Sequence, residues 1–196
     1  MAGVLLLFAA LVAVPAIWAT ITHNRLTAYQ NLVAESWRQV DVELRRRYDL
    51  IPNLVRTVQA QAAYERSTLD ALVAARARAM DARDLARRAS GEDGLDRAVR
   101  SALAQLEAYP ELRASQQFVA LQRELVDTED RIAAGRRFYN GNVRTLNTAL
   151  ASFPSSLIGS AMGVRPGQYF EAADPARLAP PVLPGGQVGR GSAPRP

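Results

Sequence analysis

Apolar side chains recur every three or four positions along most of the chain. One series runs from Tyr29 to Met80, and it begins with Tyr29, Val33, Trp37, Val40, Leu44 and Tyr48. This spacing places apolar side chains on one stripe of an α-helix, as in helices that pack in bundles or coiled coils. No segment alternates between apolar and polar residues with a period of two, so the sequence predicts no β-strand. The pattern predicts an all-α fold, an antiparallel bundle of long helices.

Glycine, proline and capping residues divide this pattern into helices. The segment from Ser90 to Gly94 follows two arginines and contains glycine, so we expect a helix to end there. Asp93 is then the expected N-cap of a third helix that ends before Pro110. Ser115 is the expected cap of the longest helix, which ends at residues 153–156. The apolar positions of this last helix have near-heptad spacing: Phe118, Leu121, Leu125, Thr128, Ile132, Tyr139, Val143, Leu146, Leu150 and Phe153.

The amino-terminal segment differs from the rest because residues 1–21 carry no charged side chain. About 20 apolar residues are enough to cross the hydrocarbon core of a bilayer. A cleaved signal peptide is the alternative, since Val14 to Ala16 offers small residues, but the segment lacks a basic start and helical periodicity resumes soon after it. We therefore expect residues 1–22 to form an uncleaved transmembrane anchor that contacts the lipid bilayer through residues 2–22. The first arginine, Arg25, follows the span, and the positive-inside rule then places the following domain in the cytoplasm.

Two further segments follow the longest helix. Leu157 to Phe170 is short, apolar and rich in glycine, and it has two interpretations: it lies on a membrane surface, or it covers an open end of the bundle. We favour the cover. The tail at residues 173–196 is dominated by proline and glycine and is expected to be disordered. The predicted domains are thus the anchor at 1–22, the bundle at 23–172 and the tail.

The stretch RRRYDLIPNLV at residues 45–55 raises the question of a binding site. Successive helical residues are about 100° apart, so Arg45, Arg46 and Arg47 fan out and do not form one binding face. Carboxylates lie four residues from two of them, so we expect solubilising ion pairs of Asp41 with Arg45, Glu43 with Arg47 and Arg45 with Asp49. Lipid contact is the alternative, but Arg45 lies about 36 Å beyond Ile21 along a straight helix.

Asp49 and Pro52 indicate a helix boundary in the same stretch. Asp49 is a good N-cap, and proline in the first turn of a helix lacks only an N–H that has no partner there. The close alternative is a proline kink within one continuous helix. Either structure makes the arginine triplet a corner of the bundle.

The composition excludes most familiar enzyme chemistries. Cysteine and lysine are both absent, which removes thiolate ligands, cysteine nucleophiles, Schiff-base chemistry and the P-loop lysine. The only histidine, His23, lies at the end of the apolar segment, so one chain cannot assemble a histidine-based triad or a multi-histidine metal site. We expect no enzyme, no cofactor and no nucleic-acid partner, although the net charge is +5.

One carboxylate near the apolar stripe is a candidate for a structural ion pair. Glu65 lies between Ala62 and Leu69, and a buried carboxylate needs a partner to stay charged. We therefore hypothesise that Glu65 pairs with Arg131 or Arg136 of another helix and fixes the register of the bundle. A solvated Glu65 is the alternative.

An acidic cluster lies around the expected end of the second helix, and it comprises Asp81, Asp84, Glu92, Asp93 and Asp96. A calcium site is one interpretation. The spacing lacks the EF-hand pattern, however, and Arg83, Arg87 and Arg88 lie among the carboxylates. We expect a solvated, capped helix end.

Several motifs together resemble the LemA family. They are RRRYDLIPNLVRTVQAQAAYE (45–65), AYPELRASQQF (108–118), LVDTEDRIAAGRRFYNGNVRTLN (125–147), FPSSLIG (153–159) and YFE (169–171), and the likeness covers residues 25–171 in order. The resemblance implies a bacterial single-pass inner-membrane protein with a helical-bundle domain and no established catalytic activity. Similarity to magnetosome-associated LemA-type proteins implies an organelle or membrane-remodelling role in some hosts. Gly135 and Gly141 are poor helix formers that we expect to loosen the longest helix locally.

Three functions are consistent with these features. The first is a membrane-tethered interaction or scaffold protein, whose unused apolar stripes bind partner helices or other copies of the chain. The second is a di-metal carboxylate enzyme. Such a bundle requires histidine ligands, which this chain does not supply. The third is a membrane-remodelling protein that binds anionic lipid through the arginine triplet and the Leu157 to Phe170 segment. We expect the first.

Overall fold

The computed structural model describes residues 1–61 and 66–171. These residues form six α-helices and contain no β-strand, which confirms the predicted all-α fold. Glu65 and the predicted tail at 173–196 lie outside the described residues. The helices are α1 (Ala2–Gln61), α2 (Arg66–Met80), α3 (Leu85–Leu106), α4 (Pro110–Ala114), α5 (Gln116–Ala151) and α6 (Ser155–Ala161).

Helices α1, α2, α3 and α5 pack with alternating directions, as the sequence predicts. Helix α5 is antiparallel to α1, because Arg47 contacts Glu129 in the middle of the pair and Asn142 lies beside Leu32 closer to the start of α1. Helices α2 and α3 form an antiparallel hairpin beside them. The predicted stripes of α1 and α5 fill the core between the helices, with these buried members: Val40, Leu44, Tyr48, Phe118, Leu121, Leu125, Thr128, Ile132, Tyr139, Val143 and Leu146.

Helix α1 is continuous for 60 residues, so the predicted boundary at Asp49 and Pro52 is wrong. Pro52 lies inside the helix, as does Pro15. The apolar stripe keeps its phase across the proline: Ile51 and Leu54 are both fully buried, in line with the residues before them. Burial of this apolar stripe stabilises the helix on both sides of Pro52, so α1 continues although Asp49 and Pro52 favour a helix boundary locally.

Helix α3 starts earlier than the sequence predicts. The segment Ser90 to Gly94 lies inside α3, and the break between α2 and α3 falls at residues 81–84. Asp84, and not Asp93, is the N-cap, since its side chain accepts a hydrogen bond from the Arg87 N–H at 2.8 Å. A Cβ on Gly91 would lie 3.0 Å from the Ala79 Cα of α2. Gly91 therefore serves a close approach of two helices and does not terminate one.

The boundaries of α5 agree with the predictions. The Ser115 hydroxyl caps its start by accepting from the Phe118 N–H, and the helix ends just before Phe153. The two glycines of α5 differ: a Cβ on Gly135 would meet the Val40 Cγ2 at 3.0 Å, whereas Gly141 faces open space. Gly135 thus allows α5 to approach α1 closely.

The chain after α6 runs back along α5 as an extended segment, residues 164–171, which we name the strap. Phe170 of the strap is buried, and buried Gly159 of α6 packs near Leu26 of α1. The segment thus covers part of the bundle, but it lies along α5 and not over an open end as predicted. Leu157, in contrast, is 60% exposed.

The first 21 residues of α1 project from the bundle, and we name them the apolar arm. The large apolar side chains of the arm are exposed, from Val4 to Ile21. Within the described residues, α1 alone is long and apolar enough to cross a membrane.

Candidate functional site: a buried ionic layer

Arg47 joins three helices at the centre of the bundle. Its side chain is only 2% exposed, and its guanidinium binds the carboxylates of Glu92 on α3 and Glu129 on α5. The Arg47 Nη1 lies 2.6 Å from the Glu129 Oε2. Glu92 is fully buried, so both of these charges depend on each other for stability.

Tyr48 completes this group, which we name the Arg47 cluster (Arg47, Tyr48, Glu92 and Glu129). The Tyr48 hydroxyl donates a hydrogen bond to the Glu92 Oε1. Burial raises the pKa of the Tyr48 phenol, and the hydrogen bond and negative charge of Glu92 raise it further, while nearby Arg88 acts in the opposite direction. The phenol therefore remains a neutral donor to the carboxylate.

Three further ion pairs surround the Arg47 cluster. Arg88 of α3 binds Asp41 of α1, and its guanidinium lies 5.3 Å from the ring centroid of Trp37. On the other side, the Arg136 Nη1 of α5 lies 2.8 Å from the Asp93 Oδ1 of α3. The third pair, Arg131 with Glu43, is longer at 3.8 Å. Charged groups thus link α1, α3 and α5 at one level of the bundle.

Aromatic rings connect this layer to the strap. Trp37 lies 5.4 Å from Tyr139 and 5.1 Å from Phe170, measured between ring centroids. The Arg136 guanidinium lies 4.7 Å from the Phe170 ring. Burial raises the pKa of Tyr139, whose hydroxyl donates to the Gln168 carbonyl at 2.9 Å.

Two asparagines of α5 hold the strap by its backbone. Asn147 accepts from the Gly167 N–H at 2.8 Å and donates to the Gly167 carbonyl at 3.0 Å. Asn140 likewise accepts from the Phe170 N–H at 2.9 Å and donates to the Phe170 carbonyl. The asparagines are seven residues apart, about 10.5 Å along a helix. Three extended residues span about 10 Å, so the two spacings match.

The three arginines of the triplet differ in burial. Arg45 and Arg46 are exposed, and the predicted pair of Arg45 with Asp41 forms at 2.8 Å. Arg47 is buried, so its predicted role as a solubilising partner of Glu43 is wrong. Because each residue of a helix turns by about 100°, Arg47 faces the core while its neighbours Arg45 and Arg46 face solvent.

The other candidate residues have separate positions. Asp49 is exposed and Pro52 is partly buried, both within α1. Arg131 and Arg136 bind Glu43 and Asp93, and their hypothesised partner, Glu65, lies outside the described residues.

The sequence reasoning did not identify Glu129, Asn140 and Asn147, and it placed Glu92 only in the acidic cluster of an expected helix end. A signal for Glu92 existed, because it lies three residues before Leu95 and therefore in phase with the stripe of α3. The interpretation of residues 90–94 as a loop concealed that phase. Asn140 and Asn147 carry no such signal, since their partners are backbone groups of a distant segment.

The arrangement of the layer fits a structural cross-link. The carboxylates of Asp41, Glu92, Asp93 and Glu129 each contact an arginine. Within residues 1–61 and 66–171, no group of three or more acidic, histidine or cysteine side chains is placed to hold a metal ion. The expectation of a solvated helix end for the acidic cluster is wrong at Glu92, which is fully buried inside α3.

A cleft of about 550 Å³ lies away from the ionic layer, where the apolar arm joins the bundle. Trp18, Arg25 and Tyr29 of α1 form one wall, and Arg144 and Thr148 of α5 form the other. The Arg25 Nη2 donates to the Tyr29 hydroxyl at 3.2 Å. We name it the arm-side cleft.

These features define a class of protein: a four-helix bundle with a buried ionic layer, extended at one end by an exposed apolar helix. The chain belongs to the LemA family, whose family model matches residues 36–183. This confirms the resemblance that the sequence motifs indicated.

Curated relatives include magnetosome proteins. The chain is 29% identical over 93 residues to magnetosome protein MamQ of Magnetospirillum gryphiswaldense, and 28% identical over 93 residues to magnetosome protein MamQ 2 of Paramagnetospirillum magneticum. Each match covers 47% of this chain and 34% of the relative. The chain thus spans about a third of the length of the curated relatives it matches.

Proposed function

We propose that this protein is a membrane-anchored, non-enzymatic interaction protein that holds a rigid helical body at the surface of the bacterial inner membrane. The observation that carries the proposal is the continuity of α1, which runs without a break from the exposed apolar arm into the core of the bundle. A helix of 60 residues is about 90 Å long, so one element serves as both anchor and scaffold.

The nature of the bundle surface supports binding of partners by polar contacts. The apolar stripes of α1 and α5 are filled inside the bundle, so the expectation of a free stripe for partner helices or for a second copy loses its support. Apart from Phe153 and Leu157 beside α6, exposed large apolar residues of the described bundle, such as Val42, Val126 and Phe138, are scattered along it. Single exposed apolar residues are normal on soluble surfaces.

Membrane insertion and orientation are tested together by cysteine labelling. The chain contains no cysteine, so Ser90→Cys on α3 gives one reactive thiol. We expect full-length protein to sediment with membranes and to resist carbonate extraction, and the thiol to react with an impermeant maleimide only after cell lysis. Labelling in intact cells would indicate the opposite orientation of the bundle. Release of the protein by carbonate would contradict the transmembrane anchor.

The interaction role is tested by photo-cross-linking in living cells from exposed positions on the bundle. Residues 42 and 126 are suitable sites, and buried position 121 is the matched control. We expect reproducible protein adducts from the exposed sites alone. Adducts absent from both exposed sites, in cells with confirmed anchoring, would contradict an interaction protein.

A second candidate function, binding of anionic lipid, is favoured by a different observation. The arm-side cleft contains two arginines, Arg25 and Arg144, where the apolar arm joins the bundle. The arginine triplet does not support this function, because Arg47 is buried within the bundle.

A further inference from the structure

We propose that the arm-side cleft binds the phosphate of one anionic phospholipid, held between Arg25 of α1 and Arg144 of α5. This inference rests on the membrane anchoring proposed above, and it identifies a lipid class and a site. The cleft volume of about 550 Å³ is within the usual range for small-molecule sites.

The first argument is the charge of the surrounding chain. Residues 1–34 and 131–170 contain no aspartate or glutamate, although these ranges contain Arg25, Arg131, Arg136, Arg137, Arg144 and Arg165. Arg131 and Arg136 bind carboxylates that come from other parts of the chain. Arg25 and Arg144 make no ion pair within the part of the chain that the structure describes, so their charges are available to an anion.

The second argument is the position of the cleft along the arm. Arg25 follows Ile21 by four residues, about 6 Å along the helix. The headgroup layer on each side of a bilayer is about 5–7 Å thick, and electrostatic attraction is screened over about 8 Å at physiological salt. Arg25 is thus within reach of lipid phosphates, unlike the exposed Arg45. Arg144 lines the same cleft as Arg25, and long arginine side chains extend toward the membrane interface.

The third argument is the chemistry of the cleft walls. Guanidinium groups bind phosphate with charge-assisted hydrogen bonds. The Tyr29 and Thr148 hydroxyls line the same cleft and add neutral donors. Trp18, seven residues before Arg25 on α1, also lines the cleft, and it is an aromatic residue of the type that prefers the membrane interface. A phospholipid in this cleft would place its phosphate near the arginines and its acyl chains past Trp18.

The fourth argument is the apolar corner beside the cleft, between α5 and α6. Phe153 is 81% exposed and Leu157 is 60% exposed, and Pro154 between them lines the cleft together with Trp18. Two large apolar side chains exposed at the level of the arm are suited to burial in the bilayer interface. The apolar corner thus adjoins the cleft through Pro154.

The test compares lipid binding by the full-length chain in detergent, measured by native mass spectrometry during titration. The two lipids are phosphatidylglycerol and phosphatidylcholine with identical acyl chains. We expect wild type to bind one phosphatidylglycerol about tenfold more tightly than phosphatidylcholine, which corresponds to about 1.4 kcal/mol. The double variant Arg25→Gln, Arg144→Gln should lose this preference. Arg25→Lys, Arg144→Lys should retain part of it, because the charges remain.

The matched control is Arg113→Gln, Arg123→Gln, which removes two exposed arginines at the other end of the bundle. We expect the control to bind as wild type does. An unchanged preference in the Arg25→Gln, Arg144→Gln variant, with its helical circular dichroism intact, would overturn the site. Equal binding of the two lipids by wild type would overturn it as well.

Two further measurements separate the sources of phosphate and the two proposals. If inorganic phosphate or glycerol phosphate at millimolar concentration displaces phosphatidylglycerol and raises the melting temperature of wild type alone, the ligand is a soluble phosphate and the lipid assignment is wrong. We expect neither effect. Failure of lipid binding in a protein that still resists carbonate extraction rejects the cleft alone, whereas loss of membrane association rejects the anchor.

Discussion

At the scale of single residues, the bundle depends on charges that water does not reach. Arg47 and Glu92 are stable as ions in the core because each is the other's partner and because Tyr48 and Glu129 complete their contacts. Replacement of a buried ion pair by apolar residues is often neutral for stability, so the pair is better evidence for register than for net stabilisation. Removal of one partner, in contrast, leaves an uncompensated charge.

We predict that Glu92→Gln lowers the free energy of unfolding by about 3 kcal/mol, because Arg47 then has only Glu129. Urea unfolding of the full chain in detergent, followed by circular dichroism, measures the change. The control is Glu35→Gln, which breaks an exposed pair with Arg38 and should cost less than about 0.5 kcal/mol. Equal stability of the two variants would show that the Arg47 cluster does not hold the bundle together.

We also predict that Tyr48 makes the protein sensitive to alkali. The folded state raises the pKa of Tyr48 above its unfolded value of about 10, so the neutral phenol stabilises the fold. That contribution is fully present below pH of about 10 and is lost as the pH rises toward the folded pKa. Unfolding titrations between pH of about 9 and 12 should show a shallower loss in Tyr48→Phe than in wild type. The variant should be less stable at neutral pH, since Glu92 loses a donor. Parallel curves for the two proteins would exclude this role.

At the scale of helices, tertiary contacts override local signals in α1 and α3. Pro52 and the Ser90 to Gly94 segment both have the composition of a helix boundary, and both lie inside helices. In α1 the buried stripe continues across the proline, and in α3 Glu92 and Leu95 bring one face into the core. Packing of an amphipathic face supplies most of the stability of helices in proteins, so it decides where they end.

The two glycines of α3 give a prediction with a built-in control. Gly94 faces open space, so Gly94→Ala should raise the free energy of unfolding by up to about 1 kcal/mol through helix propensity. Gly91→Ala has the same propensity gain but places its Cβ 3.0 Å from the Ala79 backbone, which cannot move without shifting α2. We expect Gly91→Ala to be less stable than wild type in the same urea assay. Similar gains from both substitutions would show that the α2–α3 contact is looser than the structure indicates.

At the scale of the whole molecule, charge is distributed unequally along the bundle. The carboxylates lie around the ionic layer and toward the end remote from the arm, whereas the arm end contains arginines without carboxylates. Anionic lipid attracts such an end and the positive-inside rule favours its retention in the cytoplasm. This distribution of charge therefore supports both the proposed cytoplasmic orientation of the bundle and the arm-side cleft as a phosphate site.

The sequence by itself determined the features that depend on local periodicity and composition. The stripes of α1 and α5 predicted their core faces, Ser115 predicted the start of α5, and the uncharged residues 1–21 predicted the exposed apolar arm. Each of these features rests on residues within a few turns of one another, where spacing along the chain fixes spacing in the helix.

Only the tertiary structure decided which polar residues are buried and what they contact. Arg47 differs from Arg45 and Arg46 because α3 and α5 bring Glu92 and Glu129 to it, and these partners lie 45 and 82 positions away. Asn140 and Asn147 likewise depend on the return of the strap along α5. Such contacts join distant segments, and no local pattern encodes their distance or geometry. The sequence therefore determines the helices and their apolar faces, while the packing of the helices determines the polar layer and the cleft.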